Sequence, residues 1–169
     1  MENRTKFKGT PVCVAGNFVK PGMKAPDFLL STGDLKDFSP AQTDGKKVLM
    51  NIFPSLDTSV CALSVRRFNR LAAGIGNAVV LCVSRDLPFA QSRFCAAEGI
   101  ENVVMLSDFR YKSAFGEDYG VVMKDGPLGG LFARSVVIIG TDGKIAYSAM
   151  NDEITEEPDY DAALKALTD

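Results

Sequence analysis

Two nearly continuous apolar runs with an amphipathic segment between them dominate the hydrophobic pattern of the chain. The runs KVLMNIF, from Lys47 to Phe53, and AVVLCVS, from Ala78 to Ser84, are typical of central strands covered on both faces. Between the runs, apolar residues recur with helical spacing from Cys61 to Ala72, while arginines occupy the other face. The pattern therefore predicts a strand, a helix that begins near Thr58, and a second strand.

The alternation of strands and helices continues through the rest of the chain. We predict a second helix with Asp86 as its N-cap, which carries Cys95 and ends at Gly99. The remaining predicted elements are an N-terminal β-hairpin at about 4–15, short strands at 28–30 and 35–38, a strand at 102–106, an irregular stretch around Gly116 and Gly120, a hairpin of strands 133–139 and 144–150, and a terminal helix from about Asp159. This order predicts an α/β sandwich of the thioredoxin-like kind, with a central mixed sheet flanked by helices.

Composition indicates one globular domain spanning residues 1–169. The 19 basic and 21 acidic residues give a net charge of −2, and no basic cluster is present that would neutralise nucleic acid or an anionic membrane. The longest apolar run is far shorter than the roughly 18 residues that a membrane span requires. No apolar stretch follows Met1-Glu2-Asn3-Arg4, so we expect no secretory signal and a cytosolic location.

The absence of histidine excludes more chemistry than the charge does. The chain has no histidine, which excludes Ser/His and Cys/His hydrolysis and catalytic zinc sites that need imidazole. It has four cysteines, Cys13, Cys61, Cys82 and Cys95, with no Cys-x-x-Cys pair, so a Cys₄ zinc site and a thioredoxin-type dithiol lack their local signature. In a reducing cytosol a disulfide between any two of these cysteines would be catalytic more plausibly than structural.

Cys61 has the sequence context of a reactive thiol. It follows a strand end at Pro54 and falls in the first turn of the predicted helix, where the helix dipole favours the thiolate. Thr58, three residues earlier, places a hydroxyl beside the sulfur. The alternative is that Cys61 is a small buried hydrophobic residue. The combination of strand end, proline, threonine and helix start favours the nucleophile.

The pattern Pro54…Thr58…Cys61 resembles the peroxidatic-cysteine motif of the peroxiredoxins. Further segments along essentially the whole chain resemble the bacterial thiol peroxidase branch of the atypical two-cysteine peroxiredoxins. They are 57–61, 67–69, 86–90, 93–95, 98–102, 118–121, 126–128 with 133–134, and 153–155 with 157–160.

This resemblance implies a role for each matching residue. Cys61 corresponds to the peroxidatic cysteine and Cys95 to the resolving cysteine. Thr58 and Arg134 correspond to the pair that orients and polarises the peroxide, while Pro54 shields the thiolate from water.

The resemblance also implies an activity and its partners. The expected enzyme reduces hydrogen peroxide and organic hydroperoxides through a Cys61–Cys95 disulfide, which thioredoxin re-reduces. It needs no metal or organic cofactor and forms a homodimer. The chain departs from the branch at Ser59, where proline is usual, and we expect a slightly looser helix start. The alternative function is a peroxide sensor or relay that passes the disulfide to client proteins.

Several residues have a competing structural explanation. Cys82, inside an apolar strand, and Cys13, in a hairpin arm, are expected to serve packing. Without the resemblance, Arg134 would be interpreted as a surface arginine before the apolar run Val136 to Ile139.

The sequence does not decide the roles of two groups of apolar residues. The first can form a substrate pocket near the site, or equally core and dimer contacts, and it consists of Phe53, Leu56, Phe89, Leu128, Leu131 and Phe132. The second is more apolar than a loop needs to be and favours a dimer contact, and it consists of Phe109, Tyr111 and Phe115.

Overall fold

A mixed β-sheet flanked by helices forms the body of the molecule. The computed structural model describes residues 3–169. Its strands are β1 (Arg4–Phe7), β2 (Thr10–Cys13), β3 (Leu30–Ser31), β4 (Asp37–Phe38), β5 (Lys47–Ile52), β6 (Ala78–Ser84), β7 (Val104–Ser107), β8 (Ser135–Ile139) and β9 (Ile145–Met150). Its helices are α1 (Ser59–Ala72), α2 (Pro88–Glu98), α3 (Phe115–Tyr119) and α4 (Tyr160–Thr168), with a 3₁₀ turn at Pro40–Thr43. The predicted α/β fold is confirmed.

The sheet topology brings several chain segments to one edge. The seven strands follow the order β4-β3-β7-β6-β5-β8-β9, in which β5, β6 and β7 run parallel and β8 runs antiparallel to β5. The carboxyl ends of the parallel strands therefore meet the amino end of β8. Because Ile52 pairs with Ser135, Arg134 lies beside the chain that leaves β5.

The two faces of the sheet carry separate apolar layers. Along β5, Leu49 packs with residues of α1 and α4 on one face, while Met50 and Ile52 pack with residues of α3 on the other. This alternation follows the two-residue period of a strand, and it explains why the run at Lys47–Ile52 is apolar on both sides. β5 ends at Ile52, and the chain passes through Phe53 and Pro54 before it reaches α1.

The N-terminal hairpin of β1 and β2 is docked on the segment after β9. The Thr5 hydroxyl donates to the Asn151 carbonyl over 2.8 Å, and the Ile154 amide donates to the Lys6 carbonyl over 3.0 Å. The carboxylate of Glu153 accepts hydrogen bonds from the amides of Lys8 (3.1 Å) and Gly9 (2.6 Å) in the hairpin turn. One carboxylate thus fixes the tip of the hairpin.

Two predictions about local structure are wrong. Asp86 is not the N-cap of α2, because Leu87 occupies that position and the Asp86 carboxylate turns toward the segment that follows Pro54. The irregular stretch around Gly116 contains α3. Phe115, in α3, is fully buried, so it has no part in an exposed aromatic cluster with Phe109 and Tyr111.

Among the helices of residues 3–169, none has the length and apolarity needed to cross a membrane.

The hairpin contact predicts a stability that depends on acid pH. Desolvation alone would raise the pKa of Glu153, but hydrogen bonds from the Gly9 and Thr155 amides, the Thr155 hydroxyl and the Lys8 amide together lower it from 4.5 to about 2. Because the folded pKa lies below the unfolded value, the stabilisation is present above pH 4.5 and is lost as the pH falls toward 2. Thermal melts should therefore separate Glu153→Gln from the parent at pH 7 and converge near pH 2.

The exposed Glu101, just beyond the end of α2, is a matched control. Glu101→Gln should follow the parent at both pH values. A constant difference between Glu153→Gln and the parent from pH 7 to pH 2 would contradict the role of the Glu153 charge.

Candidate active site

Cys61 lies in the first turn of α1, as the sequence predicts. The chain leaves β5 through Phe53 and Pro54, and Thr58 in extended conformation (φ −102°, ψ 144°) begins the helix. No side chain among residues 3–169 caps α1, so the positive end of its dipole acts on the groups at the first turn. The Cys61 side chain is fully buried, which keeps bulk water away from the sulfur.

Arg134 lies against the Cys61 sulfur. Its Nη2 donates to Cys61 Sγ over 3.1 Å, and its Nε donates to the Ile154 carbonyl over 2.9 Å. The side chain is only 1% exposed, so the competing explanation of a surface arginine is wrong. Nη1 is buried and has no hydrogen-bond partner among residues 3–169. The guanidinium therefore holds the Cys61 sulfur with one donor and keeps another donor for a further group.

Thr58 and Pro54 lie on the segment that joins β5 to α1 and line a cavity there. The Thr58 hydroxyl donates to the Ser55 carbonyl over 2.9 Å. This bond commits the hydroxyl proton, so the lone pairs of the oxygen are left to accept another hydrogen bond. Pro54 is buried. Both residues line one cavity together with Arg134.

The cavity has a volume of about 290 Å³. Its walls come from the hairpin turn, the start of α1, the loop before β8 and the segment after β9. The lining residues are Phe7, Lys8, Pro54, Thr58, Ser59, Val60, Leu128, Arg134, Ile154 and Thr155. Arg134 connects this cavity to the buried Cys61 sulfur.

Only one of the six apolar residues expected near the site lines the cavity, namely Leu128. Phe53 and Phe132 are fully buried core residues, and Phe89 is exposed on α2. The cavity wall instead includes Phe7 and Ile154. Sequence reasoning missed these two because they lie about 50 and 90 residues from Cys61, and only the docking of the hairpin brings them together.

Cys95 lies in the last turns of α2, as predicted, and is half-buried. Like Phe94, it packs against the apolar cluster that contains Cys61 and Cys82, and burial raises the pKa of its thiol. Burial also raises the pKa of Cys82 to about 12, so Cys82 is a neutral thiol in the core. All four cysteines are free thiols.

Comparison with known proteins shows to which family the chain belongs. The family model described as Redoxin matches residues 20–164. The chain belongs to the redoxin family. It is 51% identical to a thiol peroxidase of Corynebacterium glutamicum, over 97% of this chain and 98% of that protein. It is 55% identical to a thiol peroxidase of Mycobacterium bovis, over 95% of this chain and 96% of the relative.

Solved structures agree with this assignment. A peroxiredoxin-like protein from Aquifex aeolicus superimposes with a TM-score of 0.92 at 41% identity, covering 98% of this chain and 95% of the other. A thiol peroxidase from Chromobacterium violaceum shares the fold, with a TM-score of 0.89 at 22% identity over 99% of this chain and 98% of the other. The predicted thioredoxin-like fold and the predicted class are confirmed: the chain is a peroxide-reducing oxidoreductase of the peroxiredoxin kind.

Proposed function

We propose that the chain reduces hydrogen peroxide and organic hydroperoxides with Cys61 as peroxidatic cysteine, Cys95 as resolving cysteine and thioredoxin as reductant. The observation that carries this proposal is the buried Arg134 guanidinium. It donates to the Cys61 sulfur over 3.1 Å, Arg134 is one of the residues that line the cavity, and its Nη1 has no hydrogen-bond partner among residues 3–169. A thiolate beside a free donor is the arrangement that peroxide cleavage requires.

The first step is an in-line displacement on the peroxide. The Cys61 thiolate attacks the hydroxyl oxygen of R–O–O–H, an S–O bond forms, and the O–O bond breaks. Cys61 becomes a sulfenic acid, and the leaving alkoxide takes up a proton to give the alcohol. Arg134 Nη1 donates to the oxygen on which negative charge develops, while Thr58 accepts from the peroxide hydroxyl. Pro54 excludes water from the sulfur.

The second step joins the two cysteines. The Cys95 sulfur attacks the sulfenic sulfur of Cys61, a disulfide forms, and water leaves. A disulfide needs its Cα atoms about 4.4 to 6.8 Å apart. Cys61 and Cys95 are free thiols on separate helices, and the axes of packed helices lie about 8 to 10 Å apart. We therefore expect the first turn of α1 and the end of α2 to unwind locally in this step. Burial raises the pKa of the Cys95 thiol, and the local unwinding would remove this burial.

The disulfide accepts two electrons from the dithiol of thioredoxin, which restores both thiols. We place this cycle in the cytosol, where the thioredoxin system keeps thiols reduced. The alternative function, a relay that transfers the disulfide to a client protein, shares the first step. The two functions differ in whether thioredoxin sustains turnover.

Cysteine variants test the proposed function directly. Hydroperoxide-dependent oxidation of NADPH, coupled through thioredoxin and thioredoxin reductase, should be sustained by the parent chain. Cys61→Ser should abolish it, because a serine hydroxyl is a poor nucleophile near neutral pH. Cys95→Ser should consume one equivalent of peroxide, stop as the sulfenic acid, and turn over again only with a small dithiol such as dithiothreitol.

Cys13→Ser is the matched control, because Cys13 lies in β2 of the N-terminal hairpin and takes no part in the proposed reaction. This variant should keep the parent rate. Full thioredoxin-dependent turnover by Cys95→Ser would remove the resolving role from Cys95. A parent chain that reduces peroxide only once per molecule with the complete thioredoxin system would favour the relay.

The proposed functional unit is a homodimer. The resemblance to thiol peroxidases implies a homodimer. Of the aromatic cluster that the sequence suggested as a dimer contact, Phe115 is buried in the core. Tyr111 of that cluster is exposed in the loop after β7 (64%), and two further apolar side chains are exposed around the start of α2, Leu87 at 52% and Phe89 at 64%. Arg85 lies 4.8 Å over the Tyr111 ring and connects the two segments. A second copy would cover this apolar surface.

Sedimentation velocity at micromolar concentration tests the dimer. The parent should sediment as a dimer and Phe89→Glu as a monomer, because the new charge would be buried at the contact. Met23→Glu changes an exposed apolar residue elsewhere on the chain and should stay dimeric. A monomeric parent, or dissociation by both substitutions alike, would contradict the proposed surface.

A further inference from the structure

The carboxylate of Asp86 joins two segments of the chain next to the active site. Its Oδ1 accepts from the Ser55 hydroxyl over 2.7 Å. Its Oδ2 accepts from the Leu56 amide over 2.9 Å and from the Ser84 hydroxyl over 2.7 Å. Ser84 ends β6 and the Ser55–Leu56 pair follows Pro54, so one side chain ties the end of β6 to the loop that leads into α1.

Ser55 transmits this contact to the start of α1. The Ser55 hydroxyl that donates to Asp86 also accepts from the Asp57 amide over 3.1 Å. The Ser55 carbonyl accepts from the Thr58 hydroxyl over 2.9 Å and from the Thr58 amide over 3.2 Å. The orientation of the Thr58 hydroxyl therefore depends on where Ser55 is held.

We propose that Asp86 is a positioning residue for peroxide reduction, which acts through Ser55 to aim the Thr58 hydroxyl at the peroxide. The proposal rests on the role of Thr58 in the proposed function. With its proton committed to the Ser55 carbonyl, the Thr58 oxygen presents only lone pairs to the cavity. It then accepts from the hydroxyl of the peroxide and cannot compete as a donor for the Cys61 sulfur.

A carboxylate suits this position because three donors converge on it. Asparagine has the same shape but only one acceptor oxygen, and its NH₂ group must face one of the donors. The Leu56 amide cannot reverse its polarity, whereas a serine hydroxyl can rotate. In Asp86→Asn the amide oxygen therefore stays with Leu56, and the bond that holds Ser55 is the one disturbed.

The test isolates the peroxide step in a Cys95→Ser background, where Cys61 stops as the sulfenic acid. The rate of peroxide consumption is measured by competition with a second peroxidase, because the chain has no tryptophan. Asp86→Asn and Ser55→Ala should each lower this rate, on the order of tenfold, since misplacing a group that orients the reacting atoms slows chemistry strongly. The double variant Asp86→Asn/Ser55→Ala should be no slower than the slower single variant.

Thr58→Val separates positioning from general support of the fold. Asp86→Asn should change the rate by less than about twofold once Thr58→Val is present, because the group that Asp86 positions is gone. Alkylation of Cys61 by iodoacetamide requires the thiolate but no bound peroxide, and it should stay within about twofold of the parent in Asp86→Asn. Asp142→Asn removes a carboxylate that accepts from the Lys144 amide in the β8–β9 turn and should leave both rates unchanged.

Each other outcome has a definite meaning. An equal loss of rate from Asp86→Asn with and without Thr58→Val, or alkylation slowed as much as peroxide reduction, would overturn the positioning role and assign Asp86 to the fold alone. An unchanged peroxide rate in Thr58→Val would instead overturn the role of Thr58 in the proposed function, and the role of Asp86 with it.

Discussion

The contact between the Arg134 guanidinium and the Cys61 sulfur is the constraint on which the rest of the site depends. A buried arginine is costly unless its charge and its donors are matched. The Ile154 carbonyl and the sulfur match two of its nitrogens, and Nη1 is left without a partner in the described chain. A ligand that offers an oxygen acceptor at Nη1 would therefore lower the cost of burying this arginine.

The fold supplies this contact through the edge where β5 and β6 end and β8 begins. The pairing of β5 with β8 sets Arg134 beside the chain that leaves β5. That chain then passes Pro54 and enters α1 at Ser59. The segment after β9 has two tasks, because its Ile154 carbonyl holds the Arg134 side chain while its Glu153 carboxylate holds the hairpin turn. The wall of the cavity and the orientation of the Arg134 side chain are thus fixed by neighbouring residues.

Local sequence pattern was sufficient where the physics is local. The helical spacing from Cys61 onward and the apolar runs predicted the sheet, α1 and the position of the thiol. The pattern failed for Arg134, which precedes an apolar strand as many surface arginines do, because its burial depends on a carbonyl 20 residues later. The pattern also failed for Asp86, because distant partners again decide where the side chain lies. An aspartate two residues before a proline suggests an N-cap, but donors at Ser55 and Leu56, about 30 residues earlier, hold this carboxylate instead.

The rate of Cys61 alkylation tests the Arg134–Cys61 contact most directly. The parent and Arg134→Met, which keeps a long side chain without the charge or the donor, are treated with iodoacetamide at pH 7, and mass spectrometry follows Cys61. Arg67→Met is the control, since Arg67 lies on the same helix as Cys61 and packs over the Tyr160 ring. We expect Cys61 to be alkylated more slowly in Arg134→Met, on the order of tenfold, because the sulfur loses the guanidinium that donates to it over 3.1 Å, and at the parent rate in Arg67→Met. Equal rates in the parent and Arg134→Met would contradict the importance of this contact.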